Sequence, residues 1–159
     1  MSISFDYAPA PESRSIVDIK PAYGLFIGGD FVDGHGNGFS TINPATEEVL
    51  AQVSEASEAD VDAAVAAARK AFGPWSRMSG AERGKYLFRI ARLLAERSRE
   101  FAVLESIDNG KPIKESRDVD VPTAAAHFFY YAGWADKLEY AGFGPNPQPL
   151  GVAGQVIPW

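Results

Sequence analysis

Cysteine is absent from this sequence of 159 residues. A chain without cysteine can form no disulfide, offer no thiolate nucleophile and hold no metal through sulfur. Histidine is scarce as well, because only His35 and His127 occur, and neither has a companion histidine or acidic pair at zinc-ligand spacing. We therefore expect both histidines to pack or face solvent, and we expect no thiol chemistry in these residues.

Clustered basic residues and long apolar runs are also missing. The 15 lysines and arginines are scattered and the net charge is -6, whereas nucleic acids and anionic membranes are bound chiefly by clustered cations. No apolar run approaches the roughly 20 residues that a membrane span needs. The start of the chain lacks the basic and apolar segments of a secretory signal. We expect no nucleic-acid or membrane partner, a cytoplasmic protein, and a flexible arm over residues 1–24.

The first third of the remaining chain predicts antiparallel β structure. Residues 25–33 have the pattern of a hairpin with a glycine-containing turn at 28–30. Residues 43–46 are typical of a proline-containing turn, and residues 48–53 alternate like a half-exposed strand. The glycines of residues 34–38 suggest a phosphate-binding loop, but no helix follows them. We interpret that loop as a surface turn.

Helical patterns begin at Ser57. Ser57 and Asp60 predict an N-cap, and an apolar stripe predicts a helix that stops at residues 73–74. A second helix begins at Ser79 with a capping-box pattern. Its expected buried side carries Tyr86, Leu87, Ile90, Leu93 and Leu94.

Two further helices and a strand complete the predicted elements. The third helix ends at Gly110, which can adopt the left-handed conformation of a helix C-terminus. The fourth runs from residues 111–112 to about Leu138, with a bend near Pro122. Residues 151–157 suit a strand buried in a parallel sheet, although the pattern also allows a buried helix. Ligands bind beyond the carboxyl ends of such strands, which favours a cofactor there.

Seven segments together resemble the NAD(P)-dependent aldehyde dehydrogenase superfamily. They occur in the family's order and span nearly everything after residue 24. The segments are Phe26-Ile27-Gly28-Gly29, Asn43-Pro44-Ala45-Thr46, Asp62-Ala63-Ala64-Val65, Ala68-Arg69-Lys70-Ala71-Phe72, Asp108-Asn109-Gly110-Lys111-Pro112, Tyr130-Tyr131-Ala132-Gly133-Trp134-Ala135-Asp136-Lys137 and Gly151-Val152-Ala153-Gly154-Gln155-Val156-Ile157-Pro158-Trp159.

The resemblance implies an α/β fold with an N-terminal β-hairpin and helices that flank a Rossmann-like cofactor domain. Residues 25–159 would be the N-terminal part of that domain, truncated after its first parallel strand. The implied full-length enzyme oxidises an aldehyde substrate to a carboxylic acid with NAD or NADP and is a homo-oligomer. Its cysteine nucleophile, general-base glutamate and oxyanion-hole asparagine have no counterpart here, so we expect no catalytic residue and no activity in this chain alone.

The resemblance also assigns binding positions. Val156, Ile157, Pro158 and Trp159 match the family segment that lines the cofactor beside its nicotinamide half. Thr41, Ile42 and Asp108 match positions that hold a structural monovalent cation in some members.

The connector at residues 139–150 departs from the family pattern. Residues 139–150 are shorter by roughly ten residues than the family's oligomerisation arm, and surface loops vary freely in length.

An alternative interpretation is a non-catalytic binding or assembly module that retains the family's helices. Both interpretations predict that the 159 residues alone do not oxidise aldehydes.

Overall fold

A computed structural model describes residues 12–157 of the chain. The first 11 residues of the predicted arm, and Pro158 and Trp159 of the predicted cofactor wall, lie outside the described residues. The strands are β1 (Ala22–Tyr23), β2 (Leu25–Ile27), β3 (Asp30–Val32), β4 (Gly38–Ile42) and β5 (Val49–Ser54).

The predicted hairpin is confirmed as strands β2 and β3. Leu25 pairs with Val32 and Ile27 with Asp30, so the turn consists of Gly28 and Gly29 alone. Both glycines have positive φ, 69° and 104°, which is the conformation that a two-residue hairpin turn requires and that other residues rarely adopt.

A second sheet has the order β1, β5, β4, and it only partly follows the antiparallel prediction. Strands β4 and β5 are antiparallel, but β1 pairs with β5 in parallel. The flexible-arm prediction is therefore wrong at Ala22–Tyr23, because this segment is a sheet strand. Nearer the N-terminus, the Glu12 carboxylate accepts a 2.8 Å hydrogen bond from Arg117. This bond joins the start of the described chain to its helical part.

The helical region is less regular than the sequence predicts. The helices are α1 (Glu58–Arg77), α2 (Gly80–Glu96), α3 (Ser98–Asn109), α4 (Ile113–Glu115), a π-helical segment (Ser116–Asp120) and α5 (Val121–Trp134). Within the described residues, no helix is long and apolar enough to cross a membrane.

Helix α1 begins as predicted and ends later than predicted. The Ser57 hydroxyl accepts from the Asp60 amide while the Asp60 carboxylate accepts from the Ser57 amide, which is the predicted reciprocal cap. The prediction that the helix stops at residues 73–74 is wrong, because Pro74 lies inside its last turn. A proline there removes one backbone hydrogen bond close to the helix end, and the ordered turn continues to Arg77.

The predicted fourth helix is divided. The bend expected near Pro122 is replaced by the π-helical segment just before α5, and α5 ends at Trp134 rather than near Leu138. Pro122 has no amide hydrogen for the regular ladder, and a wider π turn is one known way for a helix to accommodate such a break.

The buried core consists of small side chains, and this corrects the predicted buried side of α2. Ala91 is fully buried, whereas Tyr86, Ile90 and Leu93 are 51%, 40% and 46% exposed. Of the predicted buried side, Leu87 and Leu94 are half-buried. Gly84 allows the close approach, since a Cβ there would lie 3.0 Å from the Ala132 carbonyl oxygen. Small residues therefore form the helix contact, and the larger ones stay accessible.

The predicted strand at residues 151–157 does not form. This segment has no regular secondary structure, and Val156 and Ile157 are 101% and 78% exposed. A parallel strand needs a neighbouring backbone to satisfy its amide and carbonyl groups. No strand among residues 12–157 pairs with it.

Candidate functional site

The segment just before the predicted cofactor residues lies beside α1 and the hairpin. Residues 152–154 contribute to a groove of about 540 Å³ whose other walls are β2 and the first three turns of α1. Leu25 and Val65 are among its apolar lining residues, and Asp60 and Arg69 are its charged ones. Residues near the end of the described chain and residues near its beginning therefore line the same groove.

Val156 and Ile157 leave this groove and face solvent. Neither residue has a paired backbone, and the predicted partners Pro158 and Trp159 lie outside the described residues. A dinucleotide also needs a helix N-terminus or comparable amides for its pyrophosphate. The described residues do not by themselves fit a whole dinucleotide.

The predicted cation positions are brought together by the fold. The Thr41 hydroxyl on β4 donates a short hydrogen bond to the Asp108 carboxylate on α3, across 67 residues of sequence. Ile42 follows on the same strand and is 48% exposed. Hydroxyl, carboxylate and backbone carbonyl oxygens are suitable ligands for hard cations. Among residues 12–157, no group of three or more His, Cys, Asp or Glu side chains is arranged to hold a metal ion.

A turn next to this pair fixes its position. Buried Asn43 accepts the Ala45 amide through its side chain at 2.9 Å, and its carbonyl accepts the Glu47 amide at 2.8 Å. Pro44 is thereby directed at Gly110, where a Cβ would lie 2.6 Å from the proline Cγ. The strand end carrying Thr41 is therefore held against the end of α3.

The structure also joins two residues that sequence reasoning left separate. The His35 ring nitrogen Nδ1 lies 2.5 Å from Asp60 Oδ1, and the His35 amide donates to Asp60 Oδ2 at 2.9 Å. These bonds lower the pKa of the Asp60 carboxyl well below its ordinary value of 3.8, and the carboxylate raises the pKa of His35 above 6.5. The expectation of solvent exposure holds for the His35 ring, but its specific partner was missed. No sequence pattern links residues 25 positions apart.

Known proteins that resemble this chain are aldehyde dehydrogenases. The sequence profile of the aldehyde dehydrogenase family matches residues 31–159. An aldehyde dehydrogenase of Alternaria alternata is 47% identical over 146 residues, which are 86% of this chain and 29% of that protein. The mitochondrial aldehyde dehydrogenase family 2 member B4 of Arabidopsis thaliana is 45% identical, over 85% of this chain and 27% of that protein.

Solved structures give the same result for the fold. The NAD+ complex of an aldehyde dehydrogenase from Bacillus cereus is 48% identical, with a TM-score of 0.70 over 74% of this chain and 24% of that one. The predicted α/β fold class is thus confirmed for a portion of the fold, although the parallel strand itself is not formed. The chain spans less than a third of the length of these relatives. Over the part that it covers, the chain belongs to the aldehyde dehydrogenase family.

Proposed function

We propose that the protein to which these residues belong oxidises aldehydes to carboxylic acids with a nicotinamide dinucleotide. The balanced reaction is R-CHO + NAD(P)+ + H2O giving R-COOH + NAD(P)H + H+. The observation that carries the proposal is the family match over residues 31–159. The NAD+ complex of the Bacillus cereus relative supports NAD as the cofactor, and the use of NADP is a proposal from the family resemblance alone.

The role we assign to this chain is structural support of the cofactor site. Residues 156–159 would line the cofactor beside its nicotinamide half, and the groove formed by α1, β2 and residues 152–154 would support that segment from behind. A nicotinamide dinucleotide held beside residues 156–159 would supply the hydride acceptor for aldehyde oxidation. The 159 residues contain no cysteine, so they cannot supply the thiolate on which this family's covalent step depends.

An activity assay tests this proposal directly. We expect the purified 159-residue chain to give no NADH or NADPH absorbance at 340 nm above a protein-free blank, with acetaldehyde, hexanal or benzaldehyde. We expect the protein encoded by the continuous reading frame to turn over at least one of these aldehydes, at rates of roughly 1 per second or more. The matched control is that longer protein with its cysteine replaced by alanine.

Two results would contradict the proposal. Turnover by the 159-residue chain alone would show that the missing thiol is not needed. A longer protein that binds NAD+ but oxidises no aldehyde would instead favour the binding or assembly module. Homo-oligomer formation and a cytoplasmic location are also proposals, and the Arabidopsis relative is named as mitochondrial.

We also propose that Thr41, Ile42 and Asp108 contribute to a monovalent cation site. The support is the contact between the Thr41 hydroxyl and the Asp108 carboxylate. A cation that binds only the folded state raises its stability by RT ln(1 + [L]/Kd). We expect KCl or NaCl to raise Tm by a few degrees relative to N-methylglucamine chloride at equal ionic strength.

The Asp108→Asn variant should lose most of this cation-dependent rise, because it removes the negative charge. Asp62→Asn is the matched control, since Asp62 lies on the exposed surface of α1 and its replacement removes one charge elsewhere. Equal cation-dependent rises in all three proteins would contradict the proposed site, because the effect would then not depend on Asp108.

A further inference from the structure

We propose that the contact between His35 and Asp60 is a pH-sensitive attachment of the loop 33–37 to the first turn of α1, tighter when the imidazole is charged. The attachment joins the β part of the chain to its helical part at the N-terminus of α1. It lies at the groove in which residues 152–154 sit, because Asp60 is one of the residues that line this groove.

Asp60 is the centre of the attachment. Its side chain is 5% exposed, and its Oδ2 accepts hydrogen bonds from the His35 amide, the Ser57 amide and the Ser57 hydroxyl at 2.9, 2.8 and 2.8 Å. A buried carboxylate is stable when it is fully hydrogen-bonded and has an opposite charge nearby. Among the described residues, His35 is the only basic group in contact with it.

The loop fits closely against the connection between β5 and α1. The Gly36 amide donates to the Glu55 carbonyl and the Glu55 amide donates to the Asn37 carbonyl, each at 3.2 Å. A Cβ at Gly36 would lie 2.5 Å from the Glu55 carbonyl oxygen, so only glycine allows the loop to lie this close to the connection. The imidazole is thus fixed beside Asp60 by backbone geometry on both sides.

Of the four bonds to the Asp60 carboxylate, only the one from the imidazole changes between pH 5 and 8. Both forms of the ring can donate to the carboxylate, and protonation adds the attraction between two opposite charges. The other charged groups on the adjoining segments are Asp33, Glu55, Glu58 and Asp62. All are acidic, so their sign also favours the imidazolium over the neutral ring.

The sign of the pH dependence follows from the two pKa shifts. The pKa of His35 is raised above 6.5, so its stabilisation is complete below that value and is lost as pH rises through the raised pKa. The pKa of Asp60 is lowered below 3.8, so its stabilisation is complete above that value and is lost in acid. The attachment is therefore most stable between about pH 4 and pH 6.5.

NMR of the 159-residue chain tests the attachment. We expect the His35 ring proton to titrate above pH 6.5, and Asp60→Asn to move its midpoint down by at least half a pH unit. We also expect the amide protection factors of Gly36 and Asp60 to fall at least threefold as pH rises through the His35 midpoint. Protection factors correct for the intrinsic pH dependence of exchange, so this fall reports opening of the loop.

His35→Gln is the second variant, because it keeps the backbone bonds and removes the titrating charge. In that variant, protection at Gly36 should be lower at pH 6 and independent of pH across the same range. His127→Gln is the matched control, since His127 lies exposed on α5, and it should leave the titration and the protection unchanged. A His35 midpoint at or below 6.5 would overturn the inference, as would pH-dependent protection that persists in His35→Gln.

Discussion

Replacement of Gly110 by alanine is expected to lower the free energy of unfolding by about 1–5 kcal/mol. Gly110 ends α3 with φ of 76°, and a non-glycine residue there incurs about 1–2 kcal/mol of steric strain. A Cβ would also lie 2.6 Å from Pro44 Cγ, and such overpacking adds about 1–3 kcal/mol. Loss of unfolded-state entropy offsets up to about 1 kcal/mol. Urea denaturation of both proteins measures the difference.

Gly142→Ala separates the two causes. Gly142 has φ of 82°, and apart from its chain neighbours no atom of the described residues lies within 4 Å of the position that a Cβ would take. Alanine at residue 142 would have the strain of a positive φ but no steric overlap. We expect a loss of about 1 kcal/mol, because strain is partly offset by the stiffer unfolded chain. If the two variants lose the same stability, the contact between Pro44 and the end of α3 contributes nothing.

The features that the sequence predicts correctly depend on neighbours in the chain. The reciprocal cap of Ser57 and Asp60, the turn of Gly28 and Gly29, and the left-handed Gly110 each need residues only a few positions apart. Capping and turn preferences are local steric and hydrogen-bonding effects, so they survive whatever packs around them. These features set the start of α1, the turn between β2 and β3, and the end of α3.

The features that were missed depend on distant partners. Ala22–Tyr23 is too short to be recognised as a strand, and its pairing with β5 spans 30 residues of sequence. In α2 the hydrophobic pattern favours Tyr86, Ile90 and Leu93, yet α2 approaches α5 closely at Gly84 and its one fully buried residue is Ala91. The apolar pattern alone does not say which side is covered.

The two contacts of the candidate site also differ in how far the sequence predicted them. The contact between Thr41 and Asp108 followed from the family resemblance, and the structure places both side chains together. The pairing of His35 with Asp60 had no such signal, because Asp60 already had a complete local explanation as a helix cap. A residue that satisfies a local rule can still hold a distant partner.

Gly80→Ala is expected to lower the free energy of unfolding by about 1–3 kcal/mol, although alanine is the better helix former. At the first residue of α2, a Cβ would lie 2.2 Å from the Ala135 carbonyl oxygen and 2.7 Å from the Asp136 Cα. Both are backbone atoms and cannot rotate away, so α2 and the end of α5 must separate. The gain in helix propensity, at most about 1 kcal/mol, is too small to offset this.

Gly133→Ala is the matched control for this change, because Gly133 lies within α5 and a Cβ there would meet no atom of residues 12–157 within 4 Å beyond its own helix turn. Here the propensity term acts alone, and we expect a gain of about 0.5–1 kcal/mol in the free energy of unfolding. Opposite signs for the two glycines would establish that α2 and α5 pack through backbone contact. Stabilisation by both would show that the two helices are further apart in solution, and the small-residue contact at Ala91 would then not hold them together.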